Sequence, residues 1–240
     1  MTADVQIGQG DARRPWKGVT VYLSGDGTRA YATEHDLVPG PRGTVELGAA
    51  EPLTDAFLRT LAGGLGTEIP LEFLPDTVLY RTGELLAWWV PAQRRTLFFS
   101  EHLEELRTAS GKVAPHPALV FVAGGGRLWV RALKRSQRPT RDTLLHVAPY
   151  MNTYVDGGVC LGTMPVPRSA GVAAMGQWVD AFFNSSFTHL VGASRLCTHP
   201  RGVAGLWAEL AGSKKPFPVR HLAEARQTLH AFVKSCQRTS

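Results

Sequence analysis

One cysteine and one asparagine lie close together in the most informative stretch of the chain, residues 150–161, which reads YMNTYVDGGVCL. Asn152 precedes Cys160 by eight positions, and the turn signal Asp156-Gly157 lies between them. A thiol is a nucleophile, and a side-chain amide is a donor that can stabilise the oxyanion of a tetrahedral intermediate. If the turn folds Asn152 back over the sulfur, the pair could carry out acyl transfer through a thioester.

Thioester chemistry suits a cysteine and an amide that have no strong base beside them. An ordinary cysteine thiol has a pKa of about 8.5, so a small fraction is thiolate at neutral pH, and that fraction can attack a thioester. The tetrahedral intermediate then needs a fixed hydrogen-bond donor, whose loss costs about 100-fold or more in rate. Asn152 would supply that donor. Asp156 could tune an incoming amine, although an Asp-Gly pair is first of all a turn signal.

Each candidate residue also has a purely structural interpretation. A cysteine after a Gly-Gly-Val run is often a small buried hydrophobic residue, and loop asparagines commonly bond their own backbone. Cys197 lies two residues before His199 and could imitate a pair of thiol and base, but no orienting group is evident. We expect His146 and His189 to be structural residues held by hydrogen bonds.

Composition excludes several classes of protein. The three cysteines are too few and too scattered for a disulfide framework or a zinc site, so we expect neither a metal nor another cofactor, and we expect Cys236 to be a core residue. The 240-residue chain is 44% hydrophobic, as folded soluble proteins are. Residues 1–16 contain no signal-peptide pattern, and no segment approaches the roughly 20 apolar residues of a spanning helix. We therefore expect a cytoplasmic protein without membrane contact.

The net charge is +6, and much of the excess is local. The segment 127–141 is a basic stripe that is opposed only by the adjacent Asp142, and its cations are Arg127, Arg131, Lys134, Arg135, Arg138 and Arg141. Such a stripe could attract nucleic acid or an acidic protein partner. It also fits a solvated strand end and loop, and no nucleic-acid-binding motif accompanies it.

Strand signals dominate the N-terminal part of the chain. Alternating apolar residues and turn signals predict strands over residues 17–24, 28–33 and 44–47. A helix is predicted to follow, ending at Gly63-Gly64, with one apolar face formed by Leu53, Phe57 and Leu61. We expect residues 1–74 to form a strand-rich extension or subdomain.

The remaining residues, 75–240, begin with strand patterns and end with helical ones. An antiparallel meander is predicted over residues 77–81, 85–90 and 96–100, with one or two helical turns at 100–107. A hairpin is predicted from 118–123 and 127–134, since the glycines between them lack the Lys-Ser/Thr of a phosphate loop. Helices are predicted over 172–182 with Ser169 as a cap, 203–210 and 222–236. Strands before helices, without βαβ alternation, indicate an α+β fold.

The site residues resemble the active-site stretch of ubiquitin-conjugating enzymes, in which a His-Pro-Asn triplet precedes the cysteine. The family's asparagine lies eight residues before its cysteine, as Asn152 lies before Cys160, and its Cys-Leu pair matches Cys160-Leu161. The family's sheet meander before the site and helices after it agree with the elements predicted above. The whole chain also resembles protein B of the bacterial PRTRC cassette, a divergent ubiquitin-conjugating-like family associated with plasmids.

This resemblance implies a ubiquitin-conjugating-like core over residues 75–240. It implies that Cys160 is the acyl-accepting thiol and that Asn152 is the amide that steadies the oxyanion. The sequence departs from the family at Tyr150-Met151, which stands where the family has His-Pro. The structural role of that histidine is therefore missing or is filled by His146. The tryptophan that follows the family's cysteine is also absent.

Three functions are compatible with these features. The leading hypothesis is a thioester-forming transferase that receives a ubiquitin-like protein from a ThiF-type activating enzyme and passes it to an amine. The second is a non-catalytic binding module that holds a ubiquitin-like partner, which the missing His-Pro and tryptophan suggest. The third is a plasmid-maintenance factor that contacts DNA through the stripe at 127–141, because the resemblance implies a cassette that also encodes a ParB-related protein.

Overall fold

The chain divides into two compact units, Met1–Glu68 and Ile69–Ser240. The computed structural model describes residues 15–41, 44–65, 71–162, 164–167, 171–188 and 196–239. The first unit contains an antiparallel sheet whose strands are neighbours in chain order, namely β1 (Lys17–Leu23), β2 (Ala30–Pro39) and β3 (Val45–Pro52). The strand predicted at 28–33 is therefore the first part of a longer strand, β2.

A helix, α1 (Asp55–Gly64), follows the sheet of the first unit. It begins after Thr54, whose hydroxyl oxygen accepts a hydrogen bond from the backbone N–H of Phe57 at 3.1 Å, as an N-cap residue does. Phe57 is buried and stacks on Trp16, with 5.5 Å between the ring centroids. The helix predicted before Gly63-Gly64 is thus confirmed.

The second unit is built on a six-stranded antiparallel sheet. Its strands, in spatial order, are β13 (Glu224–Thr228), β11 (Leu144–Val147), β10 (Arg127–Leu133), β9 (Ala118–Gly124), β5 (Leu85–Val90) and β4 (Val78–Arg81). Two further ladders join β6 (Gln93–Thr96) to β8 (Val113–His116) and, in parallel, β7 (Phe98–Phe99) to β12 (Ser186–Phe187). The helices of this unit are α2 (Met175–Asn184), α3 (Gly202–Leu210) and α4 (Leu229–Gln237). The predicted α+β class is confirmed.

A tight hairpin joins β9 to β10 in the middle of the sheet. Gly124 pairs with Arg127, and the two residues between them have φ values of 54° at Gly125 and 71° at Gly126. Two consecutive positive φ angles are typical of the two-residue turns that fit the twist of paired strands, and glycine adopts them without steric cost. The hairpin predicted here is therefore confirmed, and it fixes the register of β10.

Both faces of the sheet are covered, and all seven residues of β9 are buried. On one face, Leu119 and Phe121 pack in a large cluster with residues of α2 and α3. On the other face, Val120 and Val122 pack with Phe232 and its neighbours in α4. Burial on both faces explains why the sequence of β9 is a continuous apolar run rather than an alternating one. The central strands therefore form a rigid support for whatever pairs with them.

The helix predicted over 222–236 is wrong in its first half. That half is the strand β13, which pairs with the edge of β11, and α4 begins only at Leu229. Hydrogen bonding to the sheet edge outweighs the helical spacing of Leu222 and Ala225. Thr228 ends the strand and caps the helix, since its hydroxyl oxygen accepts from the backbone N–H of Ala231 at 3.3 Å.

Other elements differ less from the predictions. The third strand of the predicted meander, 96–100, leaves the sheet, because β5 uses its second edge to pair with β9 while β6 and β7 pair elsewhere. The segment 100–107 contains a single 3₁₀ turn, Glu104–Leu106. The helix predicted over 172–182 begins as a 3₁₀ turn, Val172–Ala174, and continues as α2, whereas the predicted cap Ser169 lies outside the described residues.

One side-chain hydrogen bond ties α3 to the segment after β11. The indole N–H of Trp207 donates to the carbonyl oxygen of Pro149 at 2.6 Å, and Trp207 is buried. In Trp207→Phe this carbonyl loses its donor in a site that water does not reach. We expect the free energy of unfolding of the C-terminal unit to fall by about 1–3 kcal/mol, measured by denaturant titration.

Trp88→Phe is the matched control, because Trp88 is 1% exposed, as Trp207 is, and its indole nitrogen has no hydrogen-bond partner among the described residues. This variant loses a similar ring area and no hydrogen bond, so we expect a smaller loss of stability than in Trp207→Phe. Equal losses in the two variants would mean that the bond to Pro149 contributes nothing beyond packing.

Candidate active site

Residues 152–160 form a β-hairpin. The backbone N–H of Cys160 donates to the carbonyl oxygen of Asn152 at 2.8 Å, and Thr153 and Val159 form an antiparallel bridge one step further along. Asn152 and Cys160 are therefore directly opposite each other at the open end of the hairpin. Opposite residues of an antiparallel pair have Cβ atoms about 4.5–5.5 Å apart. The eight-residue spacing seen in the sequence thus becomes a cross-strand pair.

A tight turn closes the other end of this hairpin. The N–H of Gly157 donates to the carbonyl oxygen of Tyr154 at 2.9 Å, as in a β-turn. The carboxylate of Asp156 accepts from the N–H of Gly158 at 2.9 Å, which stabilises the turn from within. Asp156 is exposed at this tip, whereas Cys160 is at the open end. The contacts of Asp156 are those of a turn-forming residue.

The hairpin is docked on the sheet through β10. The N–H of Val159 donates to the carbonyl oxygen of Leu128 at 2.9 Å, and the N–H of Val130 donates to the carbonyl oxygen of Gly157 at 2.8 Å. An antiparallel bridge between Trp129 and Gly158 lies between these two bonds. The second half of the hairpin therefore acts as a further strand beside β10, in the space that β11 leaves free.

Tyr150 anchors the start of the hairpin in the core. Its hydroxyl lies 2.9 Å from Nδ1 of His116, whose Nε2 lies 3.2 Å from the carbonyl oxygen of Arg95. A carbonyl oxygen only accepts, so Nε2 donates, and the Nδ1 of a neutral imidazole then accepts from the Tyr150 hydroxyl. Burial lowers the pKa of His116 to about 4, which keeps this ring neutral near pH 7.

Tyr150 therefore has a structural role at the position where ubiquitin-conjugating enzymes have His-Pro. It is 1% exposed and lies among aromatic rings, with centroid distances of 5.0 Å to Phe182 and 5.3 Å to Trp207. The backbone carbonyl of Tyr150 also accepts from the hydroxyl of Thr153. The sequence shows that Tyr150-Met151 stands where the family has His-Pro. It does not indicate the partner of Tyr150, because His116 lies 34 residues away in the chain.

The side chain of Asn152 is held by a neighbouring segment. Its Nδ2 donates to the carbonyl oxygen of Ser186 at 3.1 Å, and its Oδ1 accepts from the N–H of Thr188 at 3.1 Å. A primary amide has two N–H groups, and one is used in the bond to Ser186. Asn152 is 7% exposed, so its orientation is fixed. The structure brings Asn152 and Cys160 together and orients the amide towards β12.

The three cysteines differ in their access to solvent. Cys160 is partly exposed, whereas Cys197 and Cys236 are 1% and 2% exposed. Burial raises the pKa of the Cys236 thiol to about 12, although Arg131 acts in the opposite direction. A thiol must ionise and meet its substrate to act as a nucleophile. Of the three, Cys160 is the one that is open to a substrate.

Arg131 holds the turn of the hairpin in place, a role that the sequence did not indicate. Its guanidinium donates to the carbonyl oxygen of Val155 at 2.5 Å and lies 5.0 Å from the ring centroid of Phe232. Arg131 is 3% exposed, and burial lowers its pKa, with the charge of Asp156 acting in the opposite direction. A buried guanidinium bonded to a turn carbonyl restricts the movement of that turn.

His146 is not brought to this site by the strand register. It lies in β11 opposite Ala132, three residues along β10 from Trp129, which pairs with the hairpin. Three residues of strand span about 10 Å. Burial lowers the pKa of His146, and its Nδ1 has no hydrogen-bond partner within the described part of the chain. Its role at the site remains a prediction, and the contacts that hold the start of the hairpin are those of Tyr150.

The other histidines considered from sequence lie elsewhere. The Nε2 atom of His199 is 3.2 Å from a carboxylate oxygen of Glu209, which gives this ring a partner other than a thiol. His189 is outside the described residues. The bond to Glu209 gives no support to a pair of thiol and base formed by Cys197 and His199, and the structural role of His189 stays a prediction.

The cations of the basic stripe differ in burial and in hydrogen-bond partners. Arg131 is buried, Arg127 donates to the carbonyl oxygen of Thr239 at 2.8 Å, and Arg138 donates to that of Val78 at 2.8 Å. Lys134 and Arg135 line a separate cavity. These five basic residues therefore have different neighbours.

Among the described residues, no group of three or more His, Cys, Asp or Glu side chains is arranged to hold a metal ion. Of the helices described, none has the length and apolar character needed to cross a membrane.

Comparison with known proteins identifies a family. A family model described as prokaryotic E2 family D matches residues 57–225, more than two thirds of the chain. The match includes the hairpin with Asn152 and Cys160. No curated protein and no solved structure has significant similarity to the chain.

A substitution at Gly157 tests how tightly the hairpin packs against its neighbours. Its φ is +99°, and a Cβ atom placed on it would lie 2.9 Å from Cε2 of Phe232 and 3.2 Å from Nε of Arg131. Gly157→Ala combines backbone strain with this contact, so we expect it to lower the free energy of unfolding by about 1–3 kcal/mol. We also expect faster hydrogen exchange at the amides of Val159 and Cys160.

Gly111→Ala is the matched control, because Gly111 has a φ of +76° and a Cβ atom placed on it would have no neighbouring atom within 4 Å. It carries the backbone strain without the contact, and its effect should be smaller and should leave the hairpin amides unchanged. Equal losses of stability, or unchanged exchange in Gly157→Ala, would contradict the tight seating.

Proposed function

The chain belongs to prokaryotic E2 family D, a bacterial E2-like family, and from this premise we propose that it is a ubiquitin-conjugating-like transferase. In this proposal Cys160 accepts a ubiquitin-like protein as a thioester from a ThiF-type activating enzyme and transfers it to an amine. The observation that carries the proposal is the cross-strand pairing of Asn152 with Cys160, the accessible thiol. The resemblance over the whole chain supports the finer assignment to protein B of the PRTRC cassette.

The first step is an exchange of thioesters. The Cys160 thiolate attacks the carbonyl carbon of the incoming thioester, and a C–S bond forms as the carbonyl oxygen becomes an oxyanion. The oxyanion then collapses, the bond to the activating enzyme's sulfur breaks, and that sulfur leaves as a thiolate. Since the nucleophile and the leaving group are both thiolates, the step needs no strong general base.

The second step is aminolysis. A neutral amine attacks the carbonyl carbon of the Cys160 thioester, an amide bond forms, and Cys160 leaves as a thiolate while the amine nitrogen releases its proton to solvent. Both steps pass through an oxyanion. Asn152 supports these steps because its amide has one N–H bonded to Ser186 and a second N–H that is chemically able to donate.

Asp156 and Tyr150 enter the proposal as positioning residues. Asp156 forms the turn that places Cys160 opposite Asn152, and Tyr150 anchors the strand that carries Asn152. The dispersed contacts of the basic residues in 127–141 give no support to the alternative of DNA contact.

A covalent adduct tests the role of Cys160. Incubation with a candidate ThiF-type enzyme, a candidate ubiquitin-like protein and ATP should give a mass shift of one ubiquitin-like protein, reversed by dithiothreitol. Cys160→Ala should give no adduct, and Cys160→Ser should give one that resists dithiothreitol, since an oxygen ester replaces the thioester. Intact-mass spectrometry measures all three.

Cys236→Ala is the control, because this thiol is buried and should not accept the ubiquitin-like protein. It should form the same adduct as the unaltered chain. An adduct that persists in Cys160→Ala would defeat the assignment. Tight binding of the ubiquitin-like protein without any adduct would favour the non-catalytic binding module.

Asn152→Asp tests the amide donor with little change in shape. The carboxylate keeps an acceptor for the N–H of Thr188 and loses both N–H donors. We expect transfer from the loaded thioester to an amine to slow about 100-fold, measured by single-turnover discharge. Thermal melting recorded in parallel measures the accompanying loss of the bond to Ser186.

Asn184→Asp makes the same chemical change at an exposed position at the end of α2. Its discharge rate should equal that of the unaltered chain. If Asn152→Asp also discharges at the unaltered rate, the oxyanion is stabilised by other donors and Asn152 has a structural role alone.

A further inference from the structure

A second candidate site lies away from the hairpin, where the loop after β10 meets β11 and β13. The cavity there has a volume of about 490 Å³ and includes Lys134, Arg135, Leu144, His146, Glu224 and Arg226 in its lining. Cavities of roughly 300–1,000 Å³ are typical of sites for small molecules. Cys160 and Asn152 do not line it, so the reaction proposed above leaves this cavity without a role.

The backbone beside the cavity is irregular in a specific way. Leu144 pairs with Thr228 and His146 pairs with Glu224, so one residue of β11 faces three residues of β13. The middle of those three is Arg226, with a φ of 52°. It is the one residue other than glycine with a positive φ in the described part of the chain. Bulges and residues in strained conformations cluster at binding sites, where they direct a side chain.

The charges around the cavity are mostly positive. Lys134, Arg135 and Arg226 are cations, and Glu224 is the one carboxylate in the lining. All four residues are exposed, so their charged groups are accessible to a ligand from solvent. Guanidinium and ammonium groups bind carboxylates and phosphates through charge-assisted hydrogen bonds. This arrangement favours an anion over a cation or a neutral molecule.

The wall of the cavity contains apolar groups and one buried imidazole. Leu144 is 64% exposed and presents its side chain to solvent, whereas the other apolar residues of the lining, Leu133, Leu145 and Pro139, are buried. His146 is 5% exposed, and its Nδ1 atom is buried without a hydrogen-bond partner among the residues that the structure describes. Buried polar groups almost always have a partner, so one without a partner calls for an explanation such as a bound water or ion. The wall thus combines apolar surface with an unused polar group.

We infer that this cavity binds a small organic anion, with its phosphate or carboxylate head at Arg226, Lys134 and Arg135 and its apolar body against the exposed side chain of Leu144. The bulge in β13 holds Arg226 in the conformation that turns its side chain to the cavity. Glu224 accepts a hydrogen bond from a hydroxyl or amine of the ligand. In this inference the basic residues of the loop after β10, Lys134 and Arg135, bind a compact ligand rather than an extended polyanion.

Titration of the full chain with simple probes tests this site by NMR. Phenyl phosphate and phenylacetate combine each head with an apolar ring, inorganic phosphate is the head alone, and benzyl alcohol is a ring without charge. We expect saturable shifts of the His146 ring and the Arg226 amide with one or both ring-bearing anions, and at least about tenfold weaker binding for inorganic phosphate and benzyl alcohol. The stronger of the two anions identifies the head group.

Arg226→Gly is the decisive variant, because glycine keeps the positive φ while the guanidinium is lost. It should fold normally and bind the preferred probe at least about tenfold more weakly, the effect of losing a charge-assisted hydrogen bond. Arg141→Gln removes the same charge from an exposed residue that does not line the cavity, and it should bind as the unaltered chain does.

Three results would overturn the inference. The first is the absence of saturable shifts at the cavity with any probe at concentrations up to tens of millimolar. The second is equal binding by Arg226→Gly and the unaltered chain. The third is a single-stranded oligonucleotide that displaces the probe and shifts residues across the whole of 127–141, which would assign these cations to a nucleic-acid surface.

Discussion

The candidate active site depends on the backbone hydrogen bonds between the 152–160 hairpin and β10. The bonds from Val159 to Leu128 and from Val130 to Gly157 make the hairpin part of the central sheet. A catalytic thiol on a free loop would sample many positions, whereas one paired to a buried strand is held near one geometry. Arg131 fixes the turn of the hairpin and Tyr150 fixes its open end. The hairpin is therefore held at both ends as well as along β10.

The pairing of Asn152 with Cys160 could be predicted because it is local. Once Asp156-Gly157 is taken as the turn, antiparallel pairing sets residue 152 opposite residue 160, and no distant part of the chain is needed. The hairpin of β9 and β10 and the helices α1, α2 and α3 were predictable for the same reason. Short-range spacing, turn residues and caps carry most of the information about such elements.

The remaining features depend on contacts between distant residues. The partner of Tyr150 is His116 on β8, and nothing in the residues near Tyr150 indicates it. The strand β13 has a helix-like spacing and becomes a strand because the edge of β11 is open to it. The basic stripe looked continuous in the sequence, yet burial of Arg131 and the separate partners of Arg127 and Arg138 divide it.

The departure from His-Pro at Tyr150-Met151 is explained by a different anchor for the same strand. A buried tyrosine hydroxyl bonded to a neutral imidazole, and surrounded by aromatic rings, holds the chain before Asn152. The amide of Asn152 is also bonded on both its oxygen and its nitrogen, so it is oriented before any substrate arrives. Groups that are already oriented stabilise a transition state without a cost of reorganisation.

The two outer strands of the six-stranded sheet have a consequence for association between molecules. Strand edges with free N–H and C=O groups invite pairing with other chains, which leads to aggregation. Here β4 is four residues long and its Val78 carbonyl accepts from Arg138, while β13 is interrupted by the bulge at Arg226. Neither outer strand offers a long regular ladder, so the sheet resists lateral growth into polymers.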